Sequence, residues 1–78
     1  MSWLISQTLD ALNLEHVQRL YADKAKVKAM ITGYPVTVAA DLDPDVARRM
    51  VRDIVDQVAQ GYSVEVVGEE VRRITTLR

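Results

Sequence analysis

The chain has no cysteine and no phenylalanine. Without cysteine there is no disulfide framework and no thiolate nucleophile. Metal ligands must then come from carboxylates and the single His16. A reducing, cytoplasmic setting is the expectation that follows. Apolar runs extend only a few residues, so none is long enough to span a bilayer and no membrane partner is expected. The opening MSWLISQTLD lacks the basic start and small-residue cleavage site of a signal peptide. Internal repeats, low-complexity tracts and linkers are also missing. With only 3 glycines, each at an expected turn or cap, the chain carries no glycine-rich phosphate loop.

Length sets a further limit. The 78 residues make one domain, and a chain this short buries only about 60% of its unfolded surface. Hydrophobic residues at 49% and charged ones at 27% fit a folded domain rather than a disordered one. Lacking phenylalanine, the core must draw heavily on valine and alanine, which give little buried area each. A homodimer or a protein partner would relieve that shortage. The net charge of −1 weakens non-specific nucleic-acid binding, whose usual footprint is a basic face.

Four segments emerge from the pattern. Residues 1–22 read as helical, because Leu4 or Ile5, Leu9, Leu12, Val17 and Leu20 recur at helical spacing. One offset falls at Asn13, a good N-cap with Glu15 in the following turn, so one kinked helix or two short ones are expected. Trp3, Leu4 and Ile5 are consecutive and cannot all face one core. Residues 25–42 read as a β-hairpin in which Val27, Ala29 and Ile31 alternate with Lys26, Lys28 and Met30. Its turn is expected at Gly33, Tyr34 and Pro35. After the turn, Val36, Val38 and Ala40 alternate with Thr37 and Ala39. Pro35 has no amide donor and belongs at the strand's start or at a sheet edge.

Residues 43–60 give the best-specified helix. Asp43 is placed to cap it, Pro44 fits the first helical position, and Asp45 complements the dipole. Val46, Ala47, Met50, Val51, Ile54, Val55 and Val58 form a broad apolar stripe. Gly61 marks the end. Residues 62–77 read as a second hairpin. A two-residue turn at Gly68 and Glu69 sets Glu65 opposite Arg72 and puts Arg73 on the face of Val64 and Val66. A three-residue turn sets Glu65 opposite Arg73. Either pairing is worth about 0.2–1 kcal/mol. The expected fold is α+β in the order α-β-β-α-β-β, with an antiparallel-rich four-stranded sheet packed on the capped helix. A right-handed crossover through that helix follows if the second and third strands are parallel neighbours.

Candidate chemistry is sparse. Asp41, Asp43 and Asp45 share the spacing that opens an EF-hand calcium loop, but Val46 and Arg52 stand where that loop needs glycine and glutamate. Capping explains Asp43 and Asp45 instead, leaving Asp41 as a strand end. His16 has no partner for a triad or a metal site. Lys24, Lys26 and Lys28 form a basic strip that suits an edge strand guarded against aggregation. No acid, base or nucleophile set assembles, so the chain is read as non-enzymatic and without cofactors.

Two functional readings remain. The first is a small interaction module, a regulator, inhibitor or assembly factor, that contacts a protein partner through Trp3, Leu4, Ile5, Leu9 and Tyr34 and forms a homodimer. Its basis is the surplus of apolar surface near the N-terminus, where tryptophan and tyrosine are favoured anchors. The second is a nucleic-acid-binding regulator using Arg48, Arg49, Arg52, Arg72 and Arg73, joined by Arg78. Against it, Asp53 and Asp56 lie at i, i+4 from Arg49 and Arg52, a spacing that makes exposed pairs of about 0.3 kcal/mol each.

Overall fold

A computed structural model describes residues 2–74. The helix α1 runs from Pro44 to Ala59 as its capping signals require. The Asp43 carboxylate accepts from the Asp45 amide at 3.0 Å, and Pro44 occupies the first turn, where its missing amide has no intrahelical partner. Beyond the Gln60 cap, Gly61 adopts φ +89°, a left-handed conformation costly to other residues. Ala47, Met50 and Ile54 are fully buried along one face. A buried side chain the size of Met or Ile contributes about 1.5–3 kcal/mol.

Among the described residues the seven strands form four hairpins, two of which share a strand, closed by two-residue turns or, in one case, a short loop. The C-terminal hairpin joins β6, Ser63–Val67, to β7, Glu70–Ile74. Its turn is Gly68 and Glu69, which places Glu65 opposite Arg72 and Val64 opposite Arg73. The shorter turn is selected because Gly68 supplies a positive φ of +60° at its first central position. The expected extension of this hairpin to residue 77 lies outside the described residues.

The preceding hairpin joins β4, Lys26–Ile31, to β5, Tyr34–Ala39. Its turn is Thr32 and Gly33, not Gly33 to Pro35, because Gly33 at φ +85° takes the second left-handed position. Tyr34 and Pro35 therefore belong to the strand. The simple alternation expected in β5 also fails. A bulge makes Val38 and Ala39 share Val27 as their partner, so two consecutive residues are buried.

The N-terminal segment contains no helix of the expected kind. It folds as β1, Trp3–Ile5, then β2, Ala11–Asn13, then a 3₁₀ turn, Leu14–His16, and then β3, Val17–Asp23. Asn13 is the break it was expected to be, and its side chain accepts from the Glu15 amide at 3.0 Å. It separates two strands rather than two helices. The misleading signal has a physical source in β3. A bulge inserts Gln18, so that Val17 pairs with Ile31 and Arg19 with Met30. Val17 and Leu20 thereby reach the same core at a separation of three, which imitates a helical period. Leu9, counted in the helical stripe, is 79% exposed at φ +67° in the β1–β2 loop.

The strands divide into two sheets rather than one. One has the order β2-β1-β6-β7 and the other β3-β4-β5. The two expected hairpins thus fall in different sheets, and β5 and β6 are not neighbours. The parallel pair is β1 with β6, where Leu4 meets Val64 and Ile5 meets Glu65. Strand β4 is central in its sheet, so Lys26 and Lys28 are not on an edge. Lys28 instead pairs with Asp23 at 3.1 Å.

Helix α1 packs against both sheets over one core built from Leu4, Val27, Ala29, Val38, Ala39, Leu42, Val64 and Val66. Gln7 fastens the sheets together. Its amide donates to Val38 O at 2.8 Å. Its Oε1 accepts from the Ala40 amide at 2.9 Å, and its Nε2 donates to Gly68 O at 2.6 Å.

Leu4 is 0% exposed, so Leu4→Ala is expected to cost about 2–5 kcal/mol. Leu9→Ala is expected to change stability by less than about 0.5 kcal/mol. Urea unfolding of both variants checks the strand assignment, since a helical N-terminus would bury both leucines.

A candidate peptide-binding groove between β3 and the helix

The apolar stripe of α1 is wider than the core that covers it. Ala47, Met50 and Ile54 are covered, whereas Val55 is 50% exposed and Val58 only half-buried. Along that uncovered flank lies a groove of about 310 Å³, bounded by the C-terminal half of α1 and the first half of β3. Leu14, Val17 and Leu20 form one wall, and Ile54, Val55, Val58 and Ala59 the other. Gln18 and Arg19 are the polar residues that line it.

The opposite flank of α1 is closed. There Arg73 projects from β7 toward the helix, on the same side of the sheet as its partner Val64. Its Nε donates to Gln57 Oε1 at 2.8 Å, and its guanidinium sits 3.8 Å from the centroid of the Tyr62 ring. Such a cation–π contact is worth about 0.5–1 kcal/mol at an exposed site.

The residues expected to contact a protein do not form one surface. Leu4 is inside the core. Trp3, 39% exposed, and Ile5 lie on the outer face of the four-stranded sheet. The Trp3 amide donates to Ser63 Oγ at 2.9 Å, which ties β1 to β6. Leu9 sits in a loop, and Tyr34, 75% exposed, belongs to the other sheet.

The arginines are likewise dispersed. Arg48 pairs with Asp45 at the start of α1. Among the described residues the expected Arg49–Asp53 and Arg52–Asp56 pairs do not form. Arg72 and Arg73 are adjacent in β7 and so project to opposite faces. Arg72 reaches Glu70 at 3.2 Å, while Arg73 is turned to the helix. Arg78 lies outside the described residues. Among the described residues no three His, Asp or Glu side chains gather in a way that would hold a metal ion, and no helix is long and apolar enough to cross a membrane.

The groove was missed because its β3 wall was read as helix. A strand signal was nonetheless present. Arg19, Tyr21 and Asp23 alternate with Leu20 and Ala22, a period of two just after the bulge. Compared with known proteins, the chain matches no family model, no curated protein and no solved structure.

Groove wall and core respond differently to substitution. Met50→Ala, at a fully buried core position that does not line the groove, is expected to cost about 2–5 kcal/mol. Val55→Lys is expected to cost less than about 0.5–1 kcal/mol, because the side chain is already half in water. Chemical denaturation of the pair distinguishes an open groove from a closed core.

Proposed function

We propose that the protein is a small interaction module that binds a protein segment in the groove between β3 and α1. The observation that carries this reading is an apolar groove left open in a domain with little apolar surface to spare. Contiguous exposed apolar surface in a small soluble domain marks a contact site more often than scattered apolar residues do. Gln18 and Arg19 are the polar residues of its lining, and the Arg19 guanidinium is stacked on Tyr21, which suits contact with a bound chain rather than chemistry on one. Among the described residues the outer edge of β3 is unpaired and runs beside the groove, so an extended segment has both backbone and side-chain partners there.

The role is that of a regulator, inhibitor or assembly factor acting by contact, without catalysis. A photo-crosslinking residue at Val55 tests it, with the same residue at the exposed Thr37 of β5, on the outer face of the three-stranded sheet, as control. The expected result is a discrete adduct from Val55 with one protein species, competed away by excess unmodified chain. Equal, diffuse labelling from both positions would remove the reading.

A further inference from the structure

Four strand edges border the two sheets, and three are blunted. Strand β2 has three residues. Strand β5 carries Pro35, and Gln7 covers its far end through Val38 and Ala40. Strand β7 is dense in charge over its described residues, with Glu70, Arg72 and Arg73. These are recognised ways of discouraging sheet-to-sheet contact. Strand β3 is blunted less: it is bulged at Gln18 and carries Arg19 and Asp23, but it is the longest strand among the described residues, with 7 residues, and is regular from Arg19 to Asp23 without proline, glycine or lysine.

The register defines what that edge offers. Asp23 and Lys26 flank a two-residue turn, so they form a hydrogen-bonded pair, and Tyr21–Lys28 and Arg19–Met30 follow in phase. The intervening residues, Leu20 and Ala22, therefore turn their amides and carbonyls away from β4, to the free edge. On the outer face of the strand stand Arg19, Tyr21 and Asp23. Arg19 lies with its guanidinium 4.5 Å from the centroid of the Tyr21 ring.

This sequence is complementary to itself in the antiparallel sense. With a two-fold axis at Tyr21, Arg19 of one copy meets Asp23 of the other, twice. Tyr21 meets Tyr21, and the outward backbone groups of Leu20 meet those of Ala22 in the hydrogen-bonding phase that both require. Opposite charges directly across a strand pair stabilise it, and like charges destabilise it.

We propose that the occupant of this surface is a second copy of the chain. Two β3 strands pair about Tyr21 into a continuous six-stranded sheet, β5-β4-β3-β3-β4-β5, with both helices on one side. The proposal rests on the groove being a binding surface, since the partner's Ala22, opposite Leu20 in this register, lies at the edge of that groove. An isologous contact of this kind closes on itself and leaves no further β3 edge exposed. Asp23 enters the pairing already joined to Lys28, so each junction holds a three-membered chain of charges.

Charge exchange between two variants tests the axis. Arg19→Asp alone and Asp23→Arg alone each place like charges at both junctions, and each is expected to raise the dimer dissociation constant by roughly tenfold or more. An equimolar mixture of the two variants restores opposite charges at both junctions and is expected to recover the dimer, which also shows that both variants fold. Sedimentation equilibrium on the full chain reads both results. The natural chain has no cysteine, so Tyr21→Cys gives a single thiol at the axis, expected to form an intermolecular disulfide readily. Thr37→Cys serves as the exposed control.

A wild-type chain that stays monomeric to millimolar concentration would overturn the second copy as occupant. The Val55 cross-linking result then decides separately whether the groove binds another protein. A dimer indifferent to both charge variants, with no preferential disulfide at position 21, would also overturn the proposal, because the contact would lie elsewhere.

Discussion

The structure depends on the parallel pairing of β1 with β6. Leu4 lies against Val64 although sixty residues separate them in sequence, and both side chains are fully buried. This pairing places β1 in the middle of its sheet, with β2 on one side and the C-terminal hairpin on the other. It also fixes where the chain must go next. Ser6, buried immediately after β1, turns the chain by accepting from the Asp10 amide at 3.0 Å and by exchanging a hydrogen bond with Thr8. Gln7 then projects between the two sheets and satisfies groups on both. Without the β1–β6 pair, neither Gln7 nor the three-stranded sheet has a fixed position relative to the C-terminal hairpin.

From that arrangement follows the unequal treatment of the helix. Strands β6 and β7 approach one flank, where Arg73, Gln57 and Tyr62 close the seam. Strands β3 and β4 approach the other. There the bulge at Gln18 turns Val17 and Leu20 inward together, but among the described residues no side chain comparable to Arg73 bridges to α1. Val55 and Val58 are left as one wall of a groove. The asymmetry is written in side-chain length: an arginine closes one side, while valine and leucine leave the other open.

Legibility of these features tracked the range of the interactions that make them. Asp43, Pro44 and Gly61 act within one or two turns of α1, and the helix they imply is the helix that forms. Gly68 likewise selects its own turn and with it the register of the last hairpin. The N-terminal strands were not legible in this way. Strand β1 has three residues and is a strand only because β6 is beside it, a fact that no local window contains. In β3 a bulge shifted one apolar residue and produced a helical spacing in an extended chain. The same limit applied to the site. Val55 was visible as part of an apolar stripe, but which part of the stripe stays uncovered depends on where β3 stops. The aromatic anchors Trp3 and Tyr34 drew attention by residue type, yet the fold sends them to different sheets.

The open groove is also the feature hardest to explain by folding alone. A domain of this size is stabilised by a small excess of burial over chain entropy. Its core is assembled largely from alanine and valine, which bury little area each. Under that constraint, a polar residue at position 55 would leave the core intact and lower the exposed apolar area. Valine stands there, 50% exposed, beside the free edge of β3, the longest strand among the described residues. Single exposed apolar residues are ordinary on any protein surface. Here they coincide with unpaired backbone donors and acceptors on Leu20 and Ala22. Apolar surface and free strand edge are each a liability in an isolated domain, and here the two lie side by side.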